Sequence, residues 1–375
     1  MDALHLLSGD PRTFVEEVWA RRAQVHRGSA ADLAALLSLD DVDHLLTSTA
    51  LRTPALRLAQ DGEVLASSRY TRSATLAGVA LTGLVDARRV FDLMDGGATV
   101  VLQGLHRYWQ PITDLVRDLE VTLGHPCQAN AYLTPPGSQG FALHSDSHDV
   151  FVLQTYGCKH WQVHDEDRQR EVLLEPGTSL YLPRGTPHAA RTEESASLHL
   201  SVGVNLITWR HVLDSVTGQV LAGEPLDQPI PAGYLADPEA LEVGLGRRLN
   251  ALAAEVTAID PAAAAREQAR NFLSSRPPAL RGGLHDRLAG AEIGDEIVLV
   301  RRPGSICVLQ PDADRLRLLL GDRELVVPGW LGEVMKHVSD QSQLRAVDLA
   351  GWLDPQSRLV LVRRLVREGL LQVQR

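Results

Sequence analysis

Asn130-Ala131-Tyr132-Leu133-Thr134-Pro135-Pro136-Gly137-Ser138-Gln139-Gly140-Phe141 leads into His144-Ser145-Asp146-Ser147-His148-Asp149-Val150-Phe151-Val152-Leu153-Gln154. Gly157-Cys158-Lys159-His160-Trp161 follows, and then Leu180-Tyr181-Leu182-Pro183-Arg184-Gly185-Thr186-Pro187-His188. From Gln128 to about Asn205 the chain is a series of short apolar runs cut by turn residues. Ala129 to Leu133 is strand-like until Pro135-Pro136-Gly137 breaks it. Val150 to Thr155 and Lys159 to His164 predict a hairpin around Tyr156-Gly157. Glu171 to Leu174, Ser179 to Pro183 and Ser197 to Asn205 are three more strands. Many short strands at this spacing predict an all-β barrel or a double-sheet jelly roll.

Helical patterns flank this tract. Upstream, Asp10 and Pro11 are a cap and first residue for a helix whose Phe14, Val15, Val18 and Trp19 gather on one face. Further helices are expected over 31–46 and 108–123, while residues 50–100 mix short apolar runs with Gly and Ser and stay unassigned. Downstream, an Ala-rich stretch from Asp237 to Leu273, interrupted by Pro261, predicts paired helices. Ser274-Ser275-Arg276-Pro277-Pro278 and Gly282-Gly283 read as a linker. Two strand-like runs, Ile297–Val300 and Ser305–Leu309, then precede helical patterns over 330–338 and 344–353. A last helix opens at Asp354-Pro355 and closes at Gly369. That order suits a winged-helix module.

The chain has 375 residues, 44% apolar and 22% charged, ample for a large core and two or three domains. No apolar run is long enough for a membrane span. Met1-Asp2-Ala3 lacks the features of a secretory signal, and three widely spaced cysteines (Cys127, Cys158, Cys307) suit a reducing compartment, so a cytoplasmic protein is expected. A net charge of −10 argues against general nucleic-acid binding and suits a basic partner. Residues 284–375 balance their charges. Arg358, Arg363, Arg364 and Arg367 on the last helix are therefore expected to form a solvated face or a protein contact, not a DNA reader.

His144 and Asp146 stand two apart, roughly 7 Å between Cα atoms on a strand, and project to one face while Ser145 turns away. His188, just after a turn, can close the third corner. Two imidazoles and one carboxylate on one face of a metal are the facial triad of non-haem Fe(II) oxygenases, with three positions left open. Mn²⁺, Co²⁺, Ni²⁺ or Zn²⁺ could occupy the same ligands. Six histidines fall between positions 144 and 199. His148-Asp149 is a rival pair, but adjacent strand residues face opposite ways and would need a bend to share an ion. His160 and His164 belong on the face of their strand opposite Lys159, Trp161 and Val163. Lys159 is one of only two lysines in the chain, the other being Lys336. Its ammonium, on an inward position, suits the far carboxylate of a dicarboxylate co-substrate. Asn130 and Tyr132 share a face and can enter the same cavity.

On these motifs the chain resembles the ribosomal oxygenase branch of the JmjC (cupin-like) 2-oxoglutarate oxygenases. The resemblance implies an α+β protein with a double-stranded β-helix (jelly roll/cupin, JmjC) core carrying N-terminal helices over residues 1–208. It further implies a helical dimerisation region over 209–280 and a C-terminal winged-helix domain over 284–375. Carried over by position, it makes His144, Asp146 and His188 the iron ligands and Lys159 the partner of the co-substrate's distal carboxylate. Asn130 and Tyr132 fall near the co-substrate and the target side chain. Fe(II), 2-oxoglutarate and O₂ are the expected cofactor and co-substrates. A homodimer is expected, hydroxylating an arginine or histidine of a protein, most naturally a ribosomal protein. Ser145 stands where relatives carry a bulkier residue, and Cys158 and His160 stand where basic residues are frequent. Two other functions compete: tailoring of a peptide or amino acid by the same iron site, and a non-catalytic metal-binding cupin with a regulatory winged helix.

Overall fold

The computed structural model describes residues 2–374 apart from 139–141, 166–167, 193, 224–225 and 290–291. Gln139-Gly140-Phe141 of the quoted motif thus lies outside the described residues. The chain divides into two units, Met1–Leu206 and Ile207–Arg375.

The first unit opens with α1 (Ala3–Ser8) and α2 (Pro11–Thr13), which runs into a π-helical turn over Phe14–Val18. Asp10 caps α2 as expected, its carboxylate accepting from the N–H groups of Arg12 and Thr13. The helix expected over 31–46 is instead two, α3 (Ala30–Ala34) and α4 (Leu39–Ser48). Ser38 and Asp41 form a capping box there, which starts a new helix. Strands β1 (Gln24–Arg27), β2 (Leu56–Gln60), β3 (Glu63–Val64), β4 (Thr71–Leu76) and β5 (Val79–Val85) come before α5 (Ala87–Asp95), β6 (Thr99–Leu102) and α6 (Gln110–Leu123). The strand-rich tract supplies β7 (Cys127–Thr134), β8 (Asp149–Tyr156), β9 (Lys159–Asp165), β10 (Arg168–Leu174), β11 (Thr178–Leu182), β12 (His188–Arg191) and β13 (Ser197–Val204).

These strands build an eight-stranded antiparallel sheet in the order β1-β11-β8-β13-β7-β6-β2-β3 and a three-stranded sheet in the order β10-β9-β12. β8 is buried on both faces. Phe151 and Leu153 pack toward the N-terminal helices, with Phe14 and Tyr181, while Val150 and Val152 join Trp161, Val163, Leu180 and Leu182 in a second cluster. An apolar run without alternation is what a strand covered on both sides requires.

The expected hairpin of β8 and β9 does not form. β8 pairs with β11 and β13 in the large sheet, whereas β9 pairs with β10 and β12 in the small one. Gly157 sits at the crossing with φ of 61°, and a Cβ there would lie 1.8 Å from the carbonyl oxygen of Ala196. Only glycine fits so close an approach. The crossing delivers Lys159 to the first position of the small sheet, facing the large one.

The second unit begins with α7 (Trp209–Gly223), α8 (Glu239–Ala258), α9 (Pro261–Ser274) and α10 (Gly283–Ala289). It continues through β14 (Val298–Arg301), β15 (Val308–Asp312), β16 (Arg315–Leu319), β17 (Glu324–Pro328), α11 (Gly332–Asp340), β18 (Gln343–Arg345), α12 (Pro355–Arg367) and β19 (Leu371–Val373). Sheets of order β18-β14-β19 and β15-β16-β17 pack with α11 and α12 on a core of their own. The helix expected over 344–353 is absent. Leu344 pairs with Leu299 in β18, and only a 3₁₀ turn over Ala346–Leu349 follows. Asp354 caps α12 as expected. Its arginines are committed within the unit: Arg358 to Asp295, Arg363 to the carbonyl oxygen of Ile293, and Arg364 and Arg367 to Glu368.

Candidate metal centre

A cavity of about 380 Å³ lies between the two sheets of the first unit. His144, Asp146 and His188 meet on its wall, with one ligand atom from each within 4.8 Å of the other two. The expected strand through His144 and Asp146 is reduced to one rung. His144 N donates to His188 O at 3.1 Å and His188 N donates back to His144 O at 2.7 Å. Gly185 N donates to Asp146 O at 2.8 Å, so the two ligand-bearing segments are pinned backbone to backbone.

Each imidazole is oriented by its neighbouring main chain. Nδ1 of His144 lies 2.8 Å from Ala142 O, and Nδ1 of His188 lies 2.9 Å from Thr186 O. A carbonyl can only accept, so each Nδ1 carries a proton and Nε2 is the ring nitrogen left for a ligand role. His188 Nε2 is 3.7 Å from Asp146 Oδ2, and the two imidazole centroids are 4.5 Å apart. Burial, with the His144 ring beside it, holds the His188 pKa below its ordinary value and keeps the ring neutral. Two imidazoles and one carboxylate, fixed in orientation before any ion arrives, fit a divalent transition metal.

The rivals fall away on geometry. Asp149 is fully buried and receives the Tyr181 hydroxyl and the Arg184 N–H. Its carboxylate therefore belongs to the packing of β8 and cannot reach an ion in the cavity. His148 does line the cavity, lying over Gly203, where a Cβ would sit 2.6 Å from its ring. It is not among the three clustered ligands. His160 and His164 are half-buried on the far face of β9, away from Lys159, Trp161 and Val163, and line no part of the cavity.

Lys159 also lines the cavity, 3% exposed, with Nζ donating to Thr134 Oγ1 at 3.0 Å. Burial pulls its pKa from 10.5 down to about 7. The adjacent His199 is held neutral, well below the ordinary histidine value, by burial and by the Lys159 cation. Its ring stacks on Tyr132 at 4.9 Å and meets Trp161 edge-on. Tyr132 has its pKa raised by burial, which Arg57 and Asn130 offset by hydrogen bonding to the phenol oxygen. Asn130 Oδ1 accepts from Gly104 N at 3.0 Å, which turns its amide nitrogen toward Tyr132.

Asn130 and Tyr132 thus enter the cavity as expected. The same alternation along β7 also brings in Gln128 and Thr134, and along β13 it brings in His199, Ser201 and Gly203. Extending the period of two by one step each way would have found Gln128 and Thr134. Arg57, from β2, had no such signal. It comes from the unassigned 50–100 stretch and reaches the cavity only because β2 joins the far side of the large sheet.

Comparison with known proteins agrees with this geometry. The JmjC domain family matches residues 105–212. Mouse "Ribosomal oxygenase 2" is 35% identical over 144 residues, 33% of this chain and 31% of the mouse protein. The Branchiostoma floridae "Bifunctional lysine-specific demethylase and histidyl-hydroxylase NO66" is 35% identical over 153 residues, 39% of this chain and 25% of that protein. The chain therefore spans about a third or less of the length of these relatives. The Escherichia coli ribosomal oxygenase YcfD, solved with cobalt and 2-oxoglutarate, shares the fold over 98% of this chain and 99% of that one, at a TM-score of 0.54 and 20% identity. The resemblance to JmjC ribosomal oxygenases is upheld, and no helix among the described residues is long and apolar enough to cross a membrane.

Proposed function

We propose that the chain is an Fe(II)- and 2-oxoglutarate-dependent dioxygenase that hydroxylates an arginine or histidine side chain of a protein, most naturally a ribosomal protein. The observation that carries this is the convergence of His144, Asp146 and His188 on a cavity also lined by the buried Lys159, which has no carboxylate partner among the described residues. Ribosomal oxygenases and a histidyl-hydroxylase among the relatives support the substrate class.

In this assignment His144, Asp146 and His188 would hold the metal at the wall of the cavity. Lys159, steadied by Thr134, receives the distal carboxylate of 2-oxoglutarate in a charge-assisted pair. Asn130 and Tyr132 line the approach of the target side chain. Bound iron supplies the redox chemistry: O₂ gives one atom to 2-oxoglutarate, released as succinate and CO₂, and the other converts a C–H to C–OH. The residues of the chain contribute position, since the C–H held nearest the metal is the one that reacts. Anaerobic loading with Fe(II) and 2-oxoglutarate, then oxygen and host ribosomal proteins, should yield a protein gaining one oxygen atom by mass spectrometry. Succinate formation that no ribosomal protein or peptide stimulates would overturn the substrate assignment.

Residues 1–208 are assigned as the catalytic domain, 209–280 as a dimerisation region and 284–375 as a winged-helix domain. Exposed Trp209, Leu213, Val243, Leu245 and Leu249 support a homodimer through α7 and α8. The commitment of the α12 arginines to partners within their own unit supports a protein-facing role for the last domain over a DNA-reading one. Three cysteines outside any disulfide and no membrane-crossing helix, both among the described residues, are compatible with a cytoplasmic enzyme.

Lys159 makes co-substrate binding dependent on pH in one direction. Its pKa near 7 in the empty site rises when a carboxylate arrives, so above pH 7 binding must take up a proton. Affinity for 2-oxoglutarate should be level just below pH 7 and fall about tenfold per pH unit above it. Calorimetry near pH 8 in two buffers of different ionisation enthalpy should read close to one proton taken up. Binding without proton uptake would place the carboxylate on another group.

A further inference from the structure

We propose that the groove between α10 and α12 of the second unit is a docking site for an acidic amphipathic helix of a partner protein. This surface is separate from the metal centre and does not depend on the oxygenase assignment.

The groove has a volume of about 910 Å³ and carries both apolar and basic side chains. Leu280 and Leu284 line it with Val360 of α12 and the buried Ile293. Leu284 is 70% exposed and Val360 62%, and Leu288, one turn beyond Leu284 on α10, is 76% exposed. Single exposed apolar side chains are ordinary, but a run of them along one groove marks an interaction surface. The unit does not need them for its own core, which α12 enters through Val362 and Leu365.

Charge selects the kind of partner. Arg287 of α10 and Arg363, Arg364 and Arg367 of α12 line the same groove. Val360, Arg363, Arg364 and Arg367 recur at i, i+3, i+4 and i+7, which sets them along one face of α12. Asp286, the one carboxylate among the described lining residues, is buried and held by Arg302. Arg287 has no ion-pair partner among the described residues. Arg363 donates to the carbonyl oxygen of Ile293, which has no net charge to offset it. Arg364 and Arg367 share Glu368, while Arg323, which also reaches Glu368, is matched by Asp322. Three of the four guanidiniums are thus left without an answering carboxylate, in a chain whose net charge is −10.

The two features together narrow the occupant. A nucleic-acid backbone would answer the arginines but offers Leu284, Leu288 and Val360 nothing apolar to bury against. A small anion would occupy one or two guanidiniums and leave the same side chains in water. An amphipathic helix supplies an apolar face for the groove and flanking carboxylates for charge-assisted bonds to the arginines.

The test uses the full chain and a labelled, helix-stapled peptide with leucines at i, i+3, i+4 and i+7 and glutamates between them, read by fluorescence anisotropy. It should bind at least about tenfold more tightly than the same peptide with glutamines for the glutamates, or with serines for the leucines. Arg287→Glu combined with Arg367→Glu should weaken binding at least about tenfold, and Leu284→Ser about fivefold or more. These side chains are exposed, so the variants should melt with wild type; if the double variant does not fold, Leu284→Ser and the glutamine peptide decide. No binding at about 1 mM, equal binding of the glutamine peptide, or variants without effect overturn the proposal. Duplex DNA that binds more tightly than the peptide and is lost in the double variant would give the groove to nucleic acid and overturn it. A change of oligomeric state in Leu284→Ser, read by light scattering, would give the face to a second copy of the chain and overturn it as well.

Discussion

Asp146→Ala is expected to lower substrate-stimulated succinate formation by at least about a thousandfold, with the fold intact. Its carboxylate is the sole anionic ligand of the three, and without it two imidazoles must hold a divalent ion against water. Loss of several kcal/mol of metal affinity and Lewis-acid charge stabilisation converts to roughly that factor at about 1.4 kcal/mol per tenfold. Folding should survive because the side chain is about a third exposed and its backbone bond from Gly185 is untouched. The check is twofold: Co(II) or Fe(II) titration followed by absorption, and turnover in saturating metal. Asp146→Ala that binds metal and turns over at the wild-type rate would remove the metal centre from its assigned place. Asp146→Glu, which keeps the charge but lengthens the side chain, should restore part of the metal affinity and little of the turnover.

Lys159→Met should move two quantities in opposite directions. Affinity for 2-oxoglutarate should fall about a hundredfold to a thousandfold, since removing one partner of a buried charge pair costs about 3–5 kcal/mol. The ligand-free protein should become more stable. A pKa drawn from 10.5 to about 7 by burial means that folding strains against the charge of this lysine. The penalty is on the order of 4 kcal/mol at neutral pH, and the single bond to Thr134 recovers only part of it. The sign follows from proton binding: between pH 7 and 10.5 the unfolded chain holds the proton that the folded chain has released. The penalty is therefore full below pH 7 and fades as pH rises toward 10.5. Methionine has a similar length and no charge, so it fills the space without that penalty. Thermal melts of the apo proteins near pH 7 measure one effect and calorimetry the other. A destabilised apo variant with unchanged 2-oxoglutarate affinity would show Lys159 to be a structural residue.

Much of the candidate centre was legible because its chemistry is local. His144 and Asp146 lie two apart, His188 follows a turn, and Lys159 stands out in a chain with almost no lysine. Asn130 and Tyr132 declared themselves by the alternation of β7. The same alternation held Gln128 and Thr134, which a period carried one step further would have included. His199 was visible only as one of six histidines, since nothing local says that β13 lies between β7 and β8. The misread elements have a common cause as well. A Gly between two strand-like runs signals a hairpin in most settings, yet Gly157 marks a change of sheet. Residues 344–353 hold apolar spacing compatible with a helix, but Leu344 is claimed by pairing with Leu299.

Residue order alone determined the strand-rich tract, the two-apart placement of the ligands, the caps at Asp10 and Asp354, and the identity of the chemical groups available. These depend on side-chain period and on backbone preferences that act over a few residues. Folding in three dimensions decided which strands oppose each other, how far Lys159 is stripped of water, which way the imidazole protons point, and that Arg57 enters the cavity at all. Burial and hydrogen-bond partnership arise from segments tens of residues apart, such as β2 and β7 or Thr134 and Lys159. Such long-range neighbours carry no local signature, yet they set the charge of the cavity and therefore what it can hold.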